Sequence, residues 1–130
     1  MECLNQEGKK ILHVVNDKLG TPTYTHDFAI NVKLLVENGQ RGLFNMVCGG
    51  LTSRFEVANE LILQLELQDE VKIERVSSEF FQEEYFAERP ACERLVNKRL
   101  NDLNINLMKD WKVSLRECLN KYYPEYPHNN

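Results

Sequence analysis

The stretch HVVNDKLGTPTYTHDFA, residues 13–29, places a β-branched run, an Asn-Asp pair, a glycine and a proline in close succession. The apolar run over residues 11–15, closed by Asn16-Asp17 and Gly20, is typical of a strand that leaves into a turn. Pro22 then holds the residue before it in extended geometry. This part of the chain therefore predicts a strand followed by a tightly specified turn.

A helix is predicted directly after that turn. Thr25 is a suitable N-cap, and Asp27 places a carboxylate in the first turn, where the helix dipole stabilises negative charge. Gly39 marks the end of the helix. Its apolar residues recur at helical spacing, and we expect them to form the inner face: Phe28, Val32, Leu35 and Val36.

A second unit with the same order of elements follows. Residues 42–48 (GLFNMVC) predict a strand, with Gly49-Gly50 after it. Ser53 and Glu56 form an S-x-x-E capping box at the start of another helix. The apolar face of that helix contains Phe55, Ala58, Leu61, Ile62 and Leu65. Alternation over residues 71–74 predicts a further half-buried strand.

The remaining part of the chain is predicted to be mainly helical. The acidic, aromatic residues 79–90 predict a short helix that stops before Pro90. Asn97 is expected to cap a helix through Leu103, and Asp110 to cap the last helix. The inner face of the last helix is expected to contain Trp111, Leu115, Cys118, Leu119 and Tyr122.

These elements predict one α+β domain with about four main helices and a small sheet of short strands. The chain has 130 residues, enough to bury a core. We expect the domain to span residues 1–123 and residues 124–130, which contain two prolines and no apolar period, to form a flexible tail.

Composition excludes several classes of function. The formal net charge of −4 does not favour binding to nucleic acid or to an anionic membrane. The apolar runs are too short to span a bilayer and the first ten residues do not resemble a signal peptide, so a cytoplasmic location is expected. The cysteines are widely spaced and are expected to be buried, reduced thiols, and no spacing with the histidines predicts a metal site.

Few residues carry a chemical signal by themselves. The sequence has no phosphate-binding glycine loop, and the adjacent Glu83 and Glu84 diverge on a helix, which favours a solvated surface over an acid–base pair. The basic residues that form a candidate site for binding a phosphate or carboxylate are Arg89, Arg94, Lys98 and Arg99. Arg89 could present its planar fork to a phosphate, or it could form a surface pair with Glu84 or Glu88, and composition alone favours the pair.

Several motifs together resemble the C-terminal part of dTDP-4-dehydrorhamnose reductases, members of the extended short-chain dehydrogenase/reductase superfamily. They are VVNDKLGTPTYTHDFA, GLFNMVCGG with TSRFEVA, ERP followed by a leucine, and DW-x3-L, in that order. The resemblance runs from about Lys10 to Tyr123. It implies that the opening stretch crosses from a dinucleotide-binding domain into a substrate domain.

The resemblance also implies a missing partner. Family members carry a Rossmann half with a G-x-x-G-x-x-G loop and a catalytic Tyr-x-x-x-Lys pair, and this sequence has neither. The chain is therefore interpreted as the C-terminal part of a reductase that lacks most of the Rossmann domain, whether cut experimentally, encoded separately or left by a truncated reading frame. No cofactor is expected in this chain, with NADP or NAD bound by the complete enzyme.

The family likeness assigns a role to one residue. The arginine of the R-P element, here Arg89, is implied to contact the nucleotide diphosphate of a dTDP-sugar substrate, which favours the phosphate role over the surface pair. The expected partners are this substrate, the missing Rossmann half and, through uncovered apolar surface, a second copy of the chain.

Two other functions remain open at this point. One is a non-catalytic regulatory relative that resembles the β subunit of methionine adenosyltransferase and acts through a protein partner. The other is a stand-alone binding module.

Overall fold

A computed structural model describes residues 3–4, 8–81, 87 and 89–126. The helices are α1 (Thr25–Glu37), α2 (Arg54–Gln64), α3 (Lys98–Asp102) and α4 (Trp111–Tyr122). The strands are β1 (Cys3–Leu4), β2 (Lys10–Val15), β3 (Leu19–Gly20), β4 (Thr52–Ser53) and β5 (Val71–Val76), and a 3₁₀ turn covers Ser78–Phe81. The predicted α+β class, with four helices and short strands, is confirmed.

The main sheet is built around two parallel strands that are far apart in sequence. Its strand order is β1-β2-β5, and β2 pairs with β5 over its whole length, from Lys10 opposite Val71 to Val15 opposite Val76. Helix α2 covers one face of this pair, where the Arg75 guanidinium lies 4.5 Å from the centre of the Phe55 ring. The strands predicted near residues 11–15 and 71–74 are thus confirmed.

A second, two-stranded sheet ties the opening turn to the start of α2. Leu19 lies opposite Ser53 and Gly20 opposite Thr52. The predicted capping box is present: the Glu56 amide donates to the Ser53 hydroxyl at 3.2 Å, and the Ser53 amide donates to the Glu56 carboxylate at 3.1 Å. Helix α2 therefore begins where its local sequence signal places it.

Helix α1 departs from the sequence expectation at both its start and its face. Tyr24, in extended conformation, occupies the N-cap position without a side-chain cap, so the prediction of Thr25 was wrong by one residue. The buried residues are Asp27, Asn31 and Leu35. Of the predicted inner face only Leu35 is buried; the exposed members are Phe28, Val32 and Val36, of which Val36 is 73% exposed.

Residues 42–48 do not form the predicted strand. The Val47 amide donates at 2.9 Å to the Asn97 side-chain oxygen, and the Asn97 amide nitrogen donates at 2.7 Å to the Val47 carbonyl. A side-chain amide thereby satisfies the backbone groups that a neighbouring strand would otherwise pair. Asn97 does occupy the N-cap position of α3, but this use of its side chain leaves no capping bond there.

The last helix follows the prediction at its start and partly at its face. Asp110 is the N-cap of α4, and its carboxylate accepts from the Lys112 amide at 2.9 Å. Trp111 and Leu119 are buried as expected, whereas Tyr122 is 57% exposed and therefore does not belong to the inner face. The core cluster contains Leu35, Met46 and Leu100, with Phe44, Ile105 and Met108 packed against it.

Some predictions fall partly outside the described residues. The helix predicted over residues 79–90 corresponds to the 3₁₀ turn at its start, but residues 82–86 and 88 lie outside, as do tail residues 127–130. Cys48 is a buried free thiol as expected, Cys118 is half-buried and Cys92 is exposed, so the prediction of buried thiols was wrong for Cys92. Over the part of the chain that the structure describes, no helix is long and apolar enough to cross a membrane.

Candidate functional site

The two parallel strands end beside each other, and the residues that follow them are joined. Asp17 comes after β2 and Ser78 after β5. The Ser78 amide donates to the Asp17 carboxylate at 3.0 Å, and the Ser78 hydroxyl donates to it at 2.8 Å. These bonds, the backbone one first, lower the pKa of Asp17. Asp17 therefore fixes the turn after β5 against the turn after β2.

The segment with Arg89 is attached to the same turn. The Leu19 amide donates to the Ala91 carbonyl at 2.8 Å, and the Glu93 amide donates to the Leu19 carbonyl at 2.9 Å. The Lys18 ammonium donates to the Arg89 carbonyl at 2.7 Å. The backbone of the predicted phosphate-binding residue is thus held against the opening stretch, although the two are seventy residues apart in sequence.

A third loop, which precedes α2, also contacts the opening turn. The Thr21 hydroxyl donates to the Gly50 carbonyl. Gly50 has a φ of +90°, and a Cβ at this position would lie 2.8 Å from the Trp111 ring. A side chain there would both strain the backbone and displace the start of α4, so the glycine is required by conformation and by space.

The Arg89 side chain is exposed at this junction. Among the described residues, no carboxylate lies within ion-pair distance of its guanidinium. Glu84 and Glu88, its candidate surface partners, lie outside the described residues. A diphosphate contact by Arg89 therefore remains a prediction.

The other predicted basic residues serve different purposes. Arg99 donates to the carbonyls of Arg41 at 2.8 Å and Leu43 at 3.2 Å, and its guanidinium lies 4.2 Å from the centre of the Phe44 ring. Lys98 forms an ion pair with Asp102 at 2.6 Å. Arg99 thus binds the 41–44 loop and does not form a basic cluster with Arg89. Arg94 is exposed.

A buried polar network joins α1, α4 and the loop that contains Cys48, and the sequence analysis missed it. The Ser114 hydroxyl donates to the Asp27 carboxylate at 2.5 Å, and the Cys48 thiol donates to the Ser114 hydroxyl at 3.5 Å. Lys109 lies 3.4 Å from Asp27 and 2.5 Å from Glu117, and the Glu117 bond, followed by attraction to Asp27, raises the pKa of Lys109. The only local sequence signal was the placement of Asp27 in a first helical turn.

Tyr24 connects the same motif to the last helix. Partial desolvation of the half-buried Tyr24 is the main reason that its pKa is raised, and Tyr122 and Cys118 on α4 add to the effect. Tyr24 and Asp27 of the T-Y-T-x-D pattern therefore both interact with residues of α4.

The RmlD substrate binding domain family matches residues 1–124. The spore coat polysaccharide biosynthesis protein SpsK of Bacillus subtilis (strain 168) is 31% identical over 113 residues, which are 87% of this chain and 38% of that protein.

Among solved structures, a dTDP-4-dehydrorhamnose reductase, an RfbD ortholog from Clostridium acetobutylicum ATCC 824, is 32% identical with a TM-score of 0.79. The match covers 85% of this chain and 38% of that one. The reductase from Bacillus anthracis str. Ames, solved in complex with NADP, shares the fold at 24% identity and a TM-score of 0.77, again over 85% of this chain and 38% of the reductase. The chain thus spans well under half the length of these relatives, and it belongs to the RmlD substrate binding domain family.

Proposed function

We propose that this chain supplies the nucleotide-sugar side of an NAD(P)H-dependent reductase of the dTDP-4-dehydrorhamnose reductase type. The family match over residues 1–124 and the 32% identity to the Clostridium acetobutylicum reductase support this substrate class. The proposed unit spans residues 1–123, with residues 124–130 as a tail, and acts in the cytoplasm on a dTDP-linked keto sugar.

The observation that carries the proposal is the position of Arg89. Its backbone is fixed by Lys18 and by the Leu19–Ala91 bond, beyond the carboxyl ends of β2 and β5. Ligands of parallel α/β sheets bind outside the carboxyl ends of the strands. A guanidinium there presents a fork of donors that matches two phosphate oxygens.

The complete reaction requires a second part of the enzyme. In the proposed enzyme, the other part of the protein would hold the reduced cofactor, NADPH or NADH, which when bound would supply the hydride that reduces the 4-keto carbon of the sugar. The sequence of this chain contains neither a glycine-rich dinucleotide loop nor a Tyr-x-x-x-Lys pair, so its residues fit no dinucleotide and offer no tyrosine acid. The role left to this chain is to bind and orient the nucleotide sugar, and alone it is expected to be inactive.

The test uses a chimera in which the nucleotide-binding part of the Clostridium acetobutylicum reductase precedes Gly8 of this chain. A charge-assisted hydrogen bond contributes roughly 1.5–3 kcal/mol, so Arg89→Ala should weaken dTDP binding by about ten- to a hundredfold in calorimetric titration. Arg89→Lys should recover part of the loss, because an ammonium cannot bind two oxygens in a fixed fork.

Arg94→Ala is the matched control, since Arg94 is an exposed arginine five residues away. It should leave dTDP affinity within about twofold, a difference well below that of one hydrogen bond, and neither variant should change NADPH affinity. Unchanged dTDP affinity in Arg89→Ala would refute the assignment and leave Arg89 as a surface residue.

A further inference from the structure

The Lys18 side chain ends at the backbone of Arg89. Lys18 lies in the turn after β2, and its ammonium donates to the Arg89 carbonyl at 2.7 Å. Pro90 follows Arg89 and restricts it to extended backbone conformations. The Leu19 amide, which donates to the Ala91 carbonyl at 2.8 Å, joins the same two segments. The ammonium of Lys18 therefore lies beside the point from which the Arg89 side chain extends.

The bond to Arg89 uses only part of the hydrogen-bonding capacity of Lys18. An ammonium group has three N–H donors, and one of them is directed at the Arg89 carbonyl. Among the described residues, no carboxylate lies within ion-pair distance of Lys18. The residue is half-buried, so an anion from solvent can still contact its remaining donors.

The acidic residues next to Lys18 and Arg89 do not bridge them. The Asp17 carboxylate accepts from the Ser78 amide and hydroxyl, and these bonds lower its pKa more than attraction to Lys18 does. Glu93 is exposed, and its carboxylate takes part in no ion pair among the described residues. The fold thus holds an ammonium and a guanidinium near each other without an anion between them.

Two neighbouring cations match the chemistry of a diphosphate, which carries a negative charge on each of its phosphates. A guanidinium fork binds two oxygens of one phosphate, whereas an ammonium binds as a point charge. We propose that Lys18 is a second ligand of the substrate diphosphate. Its ammonium contacts the phosphate next to the one bound by Arg89 and keeps its bond to the Arg89 carbonyl. This inference rests on the proposed function, because it names a further residue of the same site.

The first test separates the charge of Lys18 from its bond to the backbone, in the chimera described above. Lys18→Gln keeps an N–H donor for the Arg89 carbonyl and removes the charge, and it should weaken dTDP binding about tenfold in calorimetric titration. Lys18→Arg keeps the charge and should recover most of this loss. Lys33→Gln is the matched control on α1, where the Lys33 side chain is 75% exposed, and it should leave dTDP affinity within about twofold.

The second test measures access to the ammonium by reductive methylation of lysines, read by mass spectrometry. At a dTDP concentration about ten times its Kd, only about one-tenth of the sites are free, so methylation of Lys18 should slow about tenfold. Thymidine, which has no phosphate, should not protect Lys18, and Lys33 should react equally in all samples. A lysine that only holds the Arg89 backbone reacts at the same rate with and without dTDP. The same measurement on the 130-residue chain with inorganic pyrophosphate needs no chimera.

The outcomes separate this inference from the proposed function. Unchanged dTDP affinity in Lys18→Gln, with weakened binding in Arg89→Ala, overturns the role of Lys18 and leaves the proposed function standing. Weakened binding in Lys18→Gln, with unchanged affinity in Arg89→Ala, supports Lys18 and refutes the assignment of Arg89. Absence of Lys18 protection in both the chimera and the chain alone overturns the inference, and a chimera that binds NADPH without dTDP overturns both.

Discussion

Single residues were predictable where their partners are close in sequence. Ser53 and Glu56 bond to each other's backbone three residues apart, and Asp110 caps the amide two residues ahead, so each signal is contained in a short window. Asn97 was predicted as a cap on the same grounds. Its amide instead pairs with Val47, fifty residues away, and no local pattern indicates that partner.

Glu66 is the residue whose replacement should stabilise the chain most directly. Helices α1, α2 and α3 each end with a Schellman pair of hydrogen bonds and a residue at positive φ: Gly39 at 62°, Glu66 at 54° and Asn104 at 55°. The left-handed conformation costs a residue with a Cβ roughly 1–2 kcal/mol, and glycine avoids this cost. We expect Glu66→Gly to raise the free energy of unfolding by about 1 kcal/mol, after the extra entropy of glycine in the unfolded chain is subtracted.

Asn104→Gly is the matched control, because asparagine tolerates the left-handed region far better than glutamate does. Its effect in the same urea titration should be smaller than that of Glu66→Gly. Equal or greater stabilisation by Asn104→Gly, or a loss of stability in Glu66→Gly, would contradict the argument from backbone strain.

At the scale of elements, periodicity located α1 but assigned it the wrong face. The spacing of Phe28, Val32 and Val36 is helical, yet the helix turns Asp27 and Asn31 inward. These polar residues are buried because partners elsewhere in the chain satisfy them, Ser114 for Asp27 and the 105–107 backbone for Asn31. Hydrophobic periodicity assigns polar residues to the outer face of a helix. It contains no information on hydrogen bonds between residues more than seventy positions apart.

Asn31 should accordingly be a major determinant of how α1 docks. Its side chain is fully buried, donates to the Ile105 carbonyl at 3.0 Å and accepts from the Leu107 amide at 2.8 Å. Asn31→Ala leaves the Ile105 carbonyl and the Leu107 amide, whose bonds to Asn31 are partly buried, without this partner, at a cost of about 2–4 kcal/mol in the free energy of unfolding. Chemical denaturation measures this loss.

Val36→Ala on the same helix provides the comparison. Val36 is 73% exposed and packs against little in this chain, so the substitution should change stability by less than about 0.5 kcal/mol. If Val36→Ala is as costly as Asn31→Ala, the inner face of α1 is the apolar one that periodicity indicates.

At the scale of the whole molecule, the order of elements was predictable and the long-range pairing was not. Strands β2 and β5 each have a local signal, but their parallel register joins residues about sixty positions apart. The site shows the same division. Arg89 was proposed as a site residue through a family resemblance, whereas its attachment to Lys18 and the bond between Asp17 and Ser78 required the folded chain.

The uncovered surface of α1 has a consequence for the chain in solution. Phe28, Val32 and Val36 recur every four residues, all are exposed, and together they form an apolar stripe along the helix. Exposed apolar stripes of this kind favour association, because pairing removes them from water. We expect the 130-residue chain to self-associate as its concentration rises, which sedimentation velocity would detect.

Val36→Lys should weaken this association, since burying the stripe would then require an ammonium group to lose its hydration. Asn120→Lys adds the same charge at an exposed position on α4, outside the stripe, and should leave the sedimentation profile as it was. A strictly monomeric chain at high concentration would contradict the prediction. An equal effect of both lysines would mean that net charge, and not the α1 stripe, governs how the chain associates.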